Sequence, residues 1–162
     1  MDVEHYRAGI VHARRFRFGD PFNTIQYDAG NNVSRTVDRN GSETRYSYDA
    51  TGRETQRIEG YGTADAKKTT TEWHSTWNLP LKVAAPGRVD YFTYGGMGEM
   101  SAHGWFPTAD ANGSQGLNAA PSGAVSSNSY GYDASGLMTA LTEQVMVRLP
   151  GSGRLAMTPK AT

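Results

Sequence analysis

Between residues 27 and 58 polar and apolar positions alternate in short runs, and turn-forming residues close each run. Thr44, Tyr46 and Tyr48 alternate with Glu43, Arg45 and Ser47, the period of two expected of a half-buried strand. Residues 53–58 can run back as its hairpin partner. Upstream, Val33-Ser34-Arg35-Thr36-Val37 leads into Asp38-Arg39-Asn40-Gly41, and Asn-Gly between such runs is a strong hairpin signal. The stretch therefore reads as strand, turn, strand, turn, strand, turn, strand. Further on, the threonine-rich run 69–73 favours a strand. Residues 79–83 and 88–94 bracket Ala85-Pro86-Gly87, a second hairpin candidate with a Pro-Gly turn. Pro80 suits a strand start or an edge, where its missing N–H costs least. Leu137, Leu141 and Val145 depart from this pattern and have helical spacing.

The pattern has a recurring punctuation mark. Tyr46-Ser47-Tyr48-Asp49-Ala50-Thr51-Gly52 and Tyr130-Gly131-Tyr132-Asp133-Ala134-Ser135-Gly136 are nearly identical. Tyr27-Asp28-Ala29-Gly30-Asn31 keeps Tyr-Asp-Ala and has asparagine where the others have glycine. Tyr94-Gly95-Gly96-Met97-Gly98 keeps the tyrosine and the last glycine but loses the aspartate. An aspartate opening a turn accepts hydrogen bonds from amides two or more residues on, and a glycine closing it supplies positive φ. Asparagine is the best substitute at that position. Tyr27, Asp28, Asn31, Tyr48, Asp49, Gly52, Tyr94, Gly98, Tyr132, Asp133 and Gly136 are thus expected to be structural turn residues. A repeated strand-and-turn unit is the mark of a repeat architecture rather than of a catalytic domain.

The stretch from Tyr27-Asp28-Ala29-Gly30-Asn31-Asn32-Val33 through Thr36-Val37-Asp38-Arg39-Asn40-Gly41 to Tyr48-Asp49-Ala50-Thr51-Gly52-Arg53 resembles two consecutive repeats of the RHS/YD-repeat family. Thr71-Glu72-Trp73-His74-Ser75-Thr76-Trp77-Asn78-Leu79-Pro80, followed by Pro86-Gly87-Arg88 and by Tyr91 to Tyr94, is similar to the inserts between repeats in bacterial members. The likeness covers residues 22–140. It implies an all-β fold of repeated antiparallel β-hairpins, joined edge to edge as part of a spiralling sheet or shell. It also implies a job: such shells hold a toxic C-terminal domain until delivery by toxin complexes or secretion-system effectors. Its partners would be neighbouring YD repeats, or the rest of a longer RHS-type chain, and an encapsulated toxin domain. The length suits a piece of a shell rather than a closed one.

Composition refines this picture. About 15% of the residues are Val, Ile, Leu or Phe, against 19 Gly and 9 Tyr. So thin an apolar supply would suggest disorder if net charge were high, but Lys+Arg and Asp+Glu balance at 16 each. Aromatic rings and long Arg and Lys stems can cover a sheet face instead. The balance argues against duplex DNA or an anionic membrane as partner. No apolar run reaches spanning length. Met1-Asp2-Val3-Glu4 opens a polar segment unlike a signal peptide, which speaks against a classical export route; the family resemblance implies delivery from the cytoplasm through a specialised secretion system. His12, Arg14, Arg15 and Arg17 alternate with Phe16 and Phe18, which reads as a strand with a solvated charged face. The chain divides into a leader of uncertain structure (1–21), a YD-repeat β-hairpin region (22–106), a flexible polar loop (107–129), a further YD-type repeat (130–147) and a disordered tail (148–162).

No catalytic constellation, metal set or cofactor motif emerges. His5, His12, His74 and His103 are scattered, and cysteine is absent, which leaves no zinc spacing and no thiol chemistry. Glu72 and His74 would share a strand face as an ion pair. The turn aspartates have a structural explanation that makes a glycosidase pair unnecessary. Asp110-Ala111-Asn112-Gly113 lacks the later ligands of a calcium loop. Residues 138–162 are too short for a toxin domain and carry no nucleophile and base. A non-catalytic structural repeat segment is the reading these observations favour. The alternative is a carbohydrate- or cell-surface-binding module, in which Trp73, Trp77 and Tyr91, with Tyr46, Tyr48 and Tyr94, stack on sugar rings.

Overall fold

A computed structural model describes residues 22–148 and 155–159. They form an all-β chain of antiparallel strands: β1 (Phe22–Tyr27), β2 (Val33–Asp38), β3 (Glu43–Tyr48), β4 (Glu54–Glu59), β5 (Lys67–Trp73), β6 (Pro80–Ala85), β7 (Arg88–Tyr94), β8 (Met100–Pro107), β9 (Val125–Tyr132), β10 (Met138–Arg148) and β11 (Leu155–Pro159). One 3-10 turn, Gly116–Asn118, interrupts them. No helix among the described residues is long and apolar enough to cross a membrane. The basic, aromatic stretch of the expected leader lies outside the described residues.

The chain falls into two compact units, Met1–Lys68 and Thr69–Thr162. In the first, β1 to β4 follow one another as a meander, with Thr36 opposite Ile25 on one side and Thr44 on the other. Its best-buried described side chain is Thr36, so polar contacts carry much of its cohesion. Glu43 sits between two cations: Arg35 Nη2 donates to its Oε2 at 2.7 Å and Arg45 Nε to its Oε1 at 2.6 Å. The Arg45 guanidinium in turn lies 3.6 Å over the ring of Tyr61, whose amide donates to the Glu43 carbonyl at 2.8 Å. A cation between a carboxylate and an aromatic face is held from both sides.

In the second unit consecutive strands again pair, β5 with β6 and onward to β11. The register sets Ala84 opposite Val89 and Val89 opposite Phe106. These three share a sheet face, and residues 108–124 fold over it. Ala119 and Leu117 of that excursion complete the apolar cluster around Ala84 and Val89. Val89 is 0% exposed. On the same face Tyr91 lies across Gly104: a Cβ there would overlap the phenol ring. The opposite face is polar, with Arg88 bonded to Asp90, His103 Nε2 2.9 Å from Asp90 Oδ1, and His103 stacked on Phe92 at 4.7 Å.

Several expectations need correction. The expected flexible loop 107–129 is an ordered excursion followed by the first half of β9. Its composition hides the reason: Asp110, 4% exposed, organises it. Its Oδ1 accepts the Ser114 amide at 2.9 Å, its Oδ2 the Gln115 amide at 2.8 Å and its carbonyl the Gly87 amide at 2.8 Å. Lys82 Nζ fastens the 3-10 turn to the sheet through the Leu117 carbonyl at 2.6 Å. Leu137, Leu141 and Val145 have helical spacing, but the strand that the family resemblance favours is the one formed, because β10 pairs along β9 from Tyr132 to Val125. Leu137 and Leu141 stay more than half exposed, so a helix would have had nothing to bury against. Within the expected disordered tail, Leu155–Pro159 pairs with β10.

Replacing Gly104 by alanine should displace the Tyr91 ring and cost about 1–3 kcal/mol. A urea-unfolding midpoint lower than wild type checks this, and an unchanged midpoint would mean Tyr91 is free to move aside.

Candidate functional site

The feature that recurs is the turn at the strand ends. Five turns among the described residues share one backbone pattern. The first residue's amide donates to the carbonyl four residues on, and the fourth residue's amide donates back to the first residue's carbonyl. They open at Asp28, Asp38, Asp49, Gly95 and Asp133, with bonds of 2.8–3.1 Å. The fourth residue is left-handed in each: Asn31 at φ 63°, then Gly41, Gly52, Gly98 and Gly136 at φ 80° or more. This is the three-residue hairpin loop with a left-handed closing residue. The Asn40-Gly41 pair closes the loop that Asp38 opens. It is the tail of an aspartate-led turn.

Each aspartate caps its turn from inside. Asp49 Oδ1 accepts the amides of Thr51 and Arg53 at 2.9 and 3.0 Å and the Thr51 hydroxyl at 2.7 Å. Asp133 repeats this with Ser135 and Leu137, Asp38 with Asn40 and Ser42, and Asp28 with Asn32. Donors aimed at a carboxylate favour its charged form. The Thr51 hydroxyl, then the Arg53 amide, hold Asp49 well below the usual carboxylate range. Ser135 also lowers Asp133, and the Asn32 amide lowers Asp28.

Two further turns reach the same end by other chemistry. In the turn that opens at Gly95, the carboxylate comes from the far side: Glu99 Oε2 accepts the Met97 amide at 3.0 Å, the third-residue amide that an aspartate would take. A Cβ on Gly95 would overlap the Glu99 carboxylate in its present position. After β5, His74 stands where the aspartate stands. Its Nδ1 accepts the amides of Thr76 at 3.1 Å and Trp77 at 3.2 Å, and its own amide donates to the Leu79 carbonyl at 2.9 Å. Trp77 stacks on the imidazole at 4.5 Å. Neither substitution is visible to a search for Tyr-Asp pairs; the signal for His74 was a polar residue directly after the strand-ending Trp73, and for Glu99 a carboxylate directly after the closing Gly98.

The tyrosines preceding these turns tie strands together. Tyr48, last in β3, donates its hydroxyl to the carbonyl of Val33, first in β2, at 2.9 Å. Tyr94 at the end of β7 reaches Pro80 at the start of β6 at 2.8 Å. Tyr132 at the end of β9 reaches Met100 at the start of β8, also at 2.8 Å. The acceptor is always the first residue of the preceding strand. Burial pushes the Tyr48 and Tyr94 phenols up, which keeps each a donor. Tyr27 ends β1 in the same way, with no described strand before it. Adjacent turns also touch: a Cβ on Gly52 would stand 3.3 Å from the Asn32 side chain, and one on Gly98 3.8 Å from the Trp77 ring.

Residues 27–64 match the family model described as RHS Repeat. The chain carries an RHS repeat. The match spans the turns at Asp28, Asp38 and Asp49 and ends just past Tyr61, so it takes in the Tyr48 bond and the Glu43 ion pairs. The chain is similar in structure to TcdB2-TccC3, solved by crystallography both whole and without its hypervariable C-terminal region. Each likeness has a TM-score of 0.54 at 16% identity and covers 85% of this chain and 7% of the other. At that identity the likeness shows the fold, and the RHS repeat chain spans a small part of the structures it matches. A search of curated proteins finds no match.

Each residue expected to stack on a glycan has a structural place in this chain. Tyr91 is engaged with Gly104 and with Phe106, 6.4 Å away, while Trp77 belongs to the His74 turn and Trp73 ends β5. Glu72 pairs in register with Lys82. No group of three or more His, Asp or Glu among the described residues is placed to hold a metal ion.

Tyr94→Phe should cost about 1 kcal/mol, the worth of one hydroxyl bond, read as a lower urea midpoint with no change in far-UV circular dichroism. Gly95→Ala should be destabilising although Gly95 is not left-handed, and Gly95→Asp combined with Glu99→Ala should recover most of the loss. Equal midpoints for all three proteins would refute the exchanged carboxylate. Glu43 is held down to about 2, first by Arg35 and then by Arg45. Its contribution is therefore full above the ordinary glutamate range and fades as pH falls toward 2. Glu43→Gln should lower the midpoint at pH 6 and flatten its decline on acidification.

Proposed function

We propose that this chain is a non-catalytic structural segment of an RHS-type protein, one that contributes to a β-shell enclosing or presenting a toxin or effector domain in bacterial competition. The observation that carries this reading is the repeated tyrosine bond. In both units a strand-ending tyrosine fastens its strand to the beginning of the one before, a rule that extends to any number of hairpins. The carboxylates and histidines that could do chemistry are engaged in turns and ion pairs: Asp28, Asp38, Asp49, Asp133, Glu99 and His74 cap backbone amides, and Glu43 and Asp90 hold arginines. The resemblance of the YD repeats to shell-forming proteins supplies the enclosing role and a specialised secretion route, and the RHS match is consistent with both. Other repeats of a longer chain are the natural partners, since strands in such a sheet gain their remaining hydrogen bonds from neighbours.

Size-exclusion chromatography with light scattering, combined with far-UV circular dichroism, tests the proposal on the purified chain. A β signal confined to self-associated species, or appearing only with added flanking repeats, is the expected outcome. A compact monomer with a stable β spectrum would overturn it and favour a self-sufficient binding domain.

A further inference from the structure

We propose that the turn following β5 is an acid-labile joint, held closed by the neutral imidazole of His74. The argument rests on what Nδ1 does. It accepts two backbone amides, from Thr76 and Trp77, so it must be the unprotonated nitrogen, with the ring proton on Nε2. Protonation puts a hydrogen on Nδ1, which turns the acceptor into a donor pointed at two other donors. Both bonds are lost together, and two amides that the turn had satisfied are left facing a cation. The sign is unambiguous: acidification opens this turn.

The aspartate-led turns behave differently, and that contrast makes the joint local. The carboxylates of Asp28, Asp49 and Asp133 keep their charge below the ordinary carboxylate range, so these turns stay capped in acid that protonates an imidazole. His103, the other described histidine, has the opposite response, because its partner is the Asp90 carboxylate at 2.9 Å and a proton strengthens that contact. Charged residues of the adjoining described elements include Glu72, Lys82 and Glu99. Its own turn, residues 75–79, carries no charged side chain. On β5, Glu72 lies two residues before it, opposite Lys82 of β6. On the neighbouring turn, which meets Trp77 through Gly98, Glu99 is directed at the Met97 amide. The stacked Trp77 ring gains attraction to an imidazolium, but that contact depends on the turn that positions it.

The test follows the Thr76 and Trp77 amides of the full chain by NMR hydrogen exchange between pH 7.5 and 5.0, in wild type, His74→Asp and His74→Asn. In wild type, protection at these two amides, corrected for intrinsic exchange, should fall by about tenfold or more across that range, while Thr51 and Ser135 hold theirs. His74→Asp should keep protection throughout, as the aspartate turns do, and His74→Asn should remove the pH response. Urea midpoints at pH 7.5 and 5.0 give a second reading, with the gap between His74→Asp and wild type widening at the lower pH. Unchanged protection in wild type, or the same pH response in His74→Asn, would overturn the proposal.

Discussion

The hydroxyl of a strand-ending tyrosine, bonded to the first carbonyl of the preceding strand, is the constraint on which this fold depends. A chain with so few aliphatic residues cannot hold a sheet by burial alone. Its described apolar core is three small or medium side chains, Ala84, Val89 and Ala119. What replaces burial is a set of polar bonds placed at strand ends, where hairpins would otherwise fray. Each tyrosine contributes both an apolar ring laid over its neighbour strand and a donor at its tip. The bond spans two strands' worth of chain, so it fixes register as well as contact.

The turn beside each tyrosine shows how loosely chemistry need be specified when geometry is fixed. What the backbone requires is an acceptor for the amides of the third residue or its near neighbours. Aspartate supplies it from the first position, histidine does so with a ring nitrogen, and glutamate can reach back from the fifth position if the first is glycine. The aspartate and glutamate turns share one backbone shape and the histidine turn is one residue longer; the three also differ in how they answer a proton.

Much of the fold was legible in the sequence, for identifiable reasons. Thr44, Tyr46 and Tyr48 state their strand by alternation, and Asp49 with Gly52 states its turn because each residue has its own conformational bias. The RHS resemblance added the consecutive hairpin order. Three things were hidden. The roles of Glu99 and His74 were missed because the search template was an aspartate. The Tyr94 and Pro80 contact joins residues 14 apart and leaves no local trace. The order of residues 108–124 was masked by a composition of Ala, Ser, Asn and Gly. That segment is held by one buried carboxylate, and by small residues whose value lies in fitting close to the sheet, as Gly116 does against Thr70.

The two ends of the strands are governed by different rules. At the aromatic end the turns have nearly constant length, because tyrosine, capping side chain and left-handed residue must keep their spacing. At the other end the second unit connects β6 to β7 through Pro86-Gly87 alone, yet connects β8 to β9 through all of residues 108–124. The Tyr132 bond to Met100 keeps its 2.8 Å length across 32 residues, as if the excursion were absent. New sequence can therefore enter at that end without disturbing register. Such a sheet is a scaffold with one fixed margin and one margin open to insertion, where new surface can be added while every hairpin stays in step.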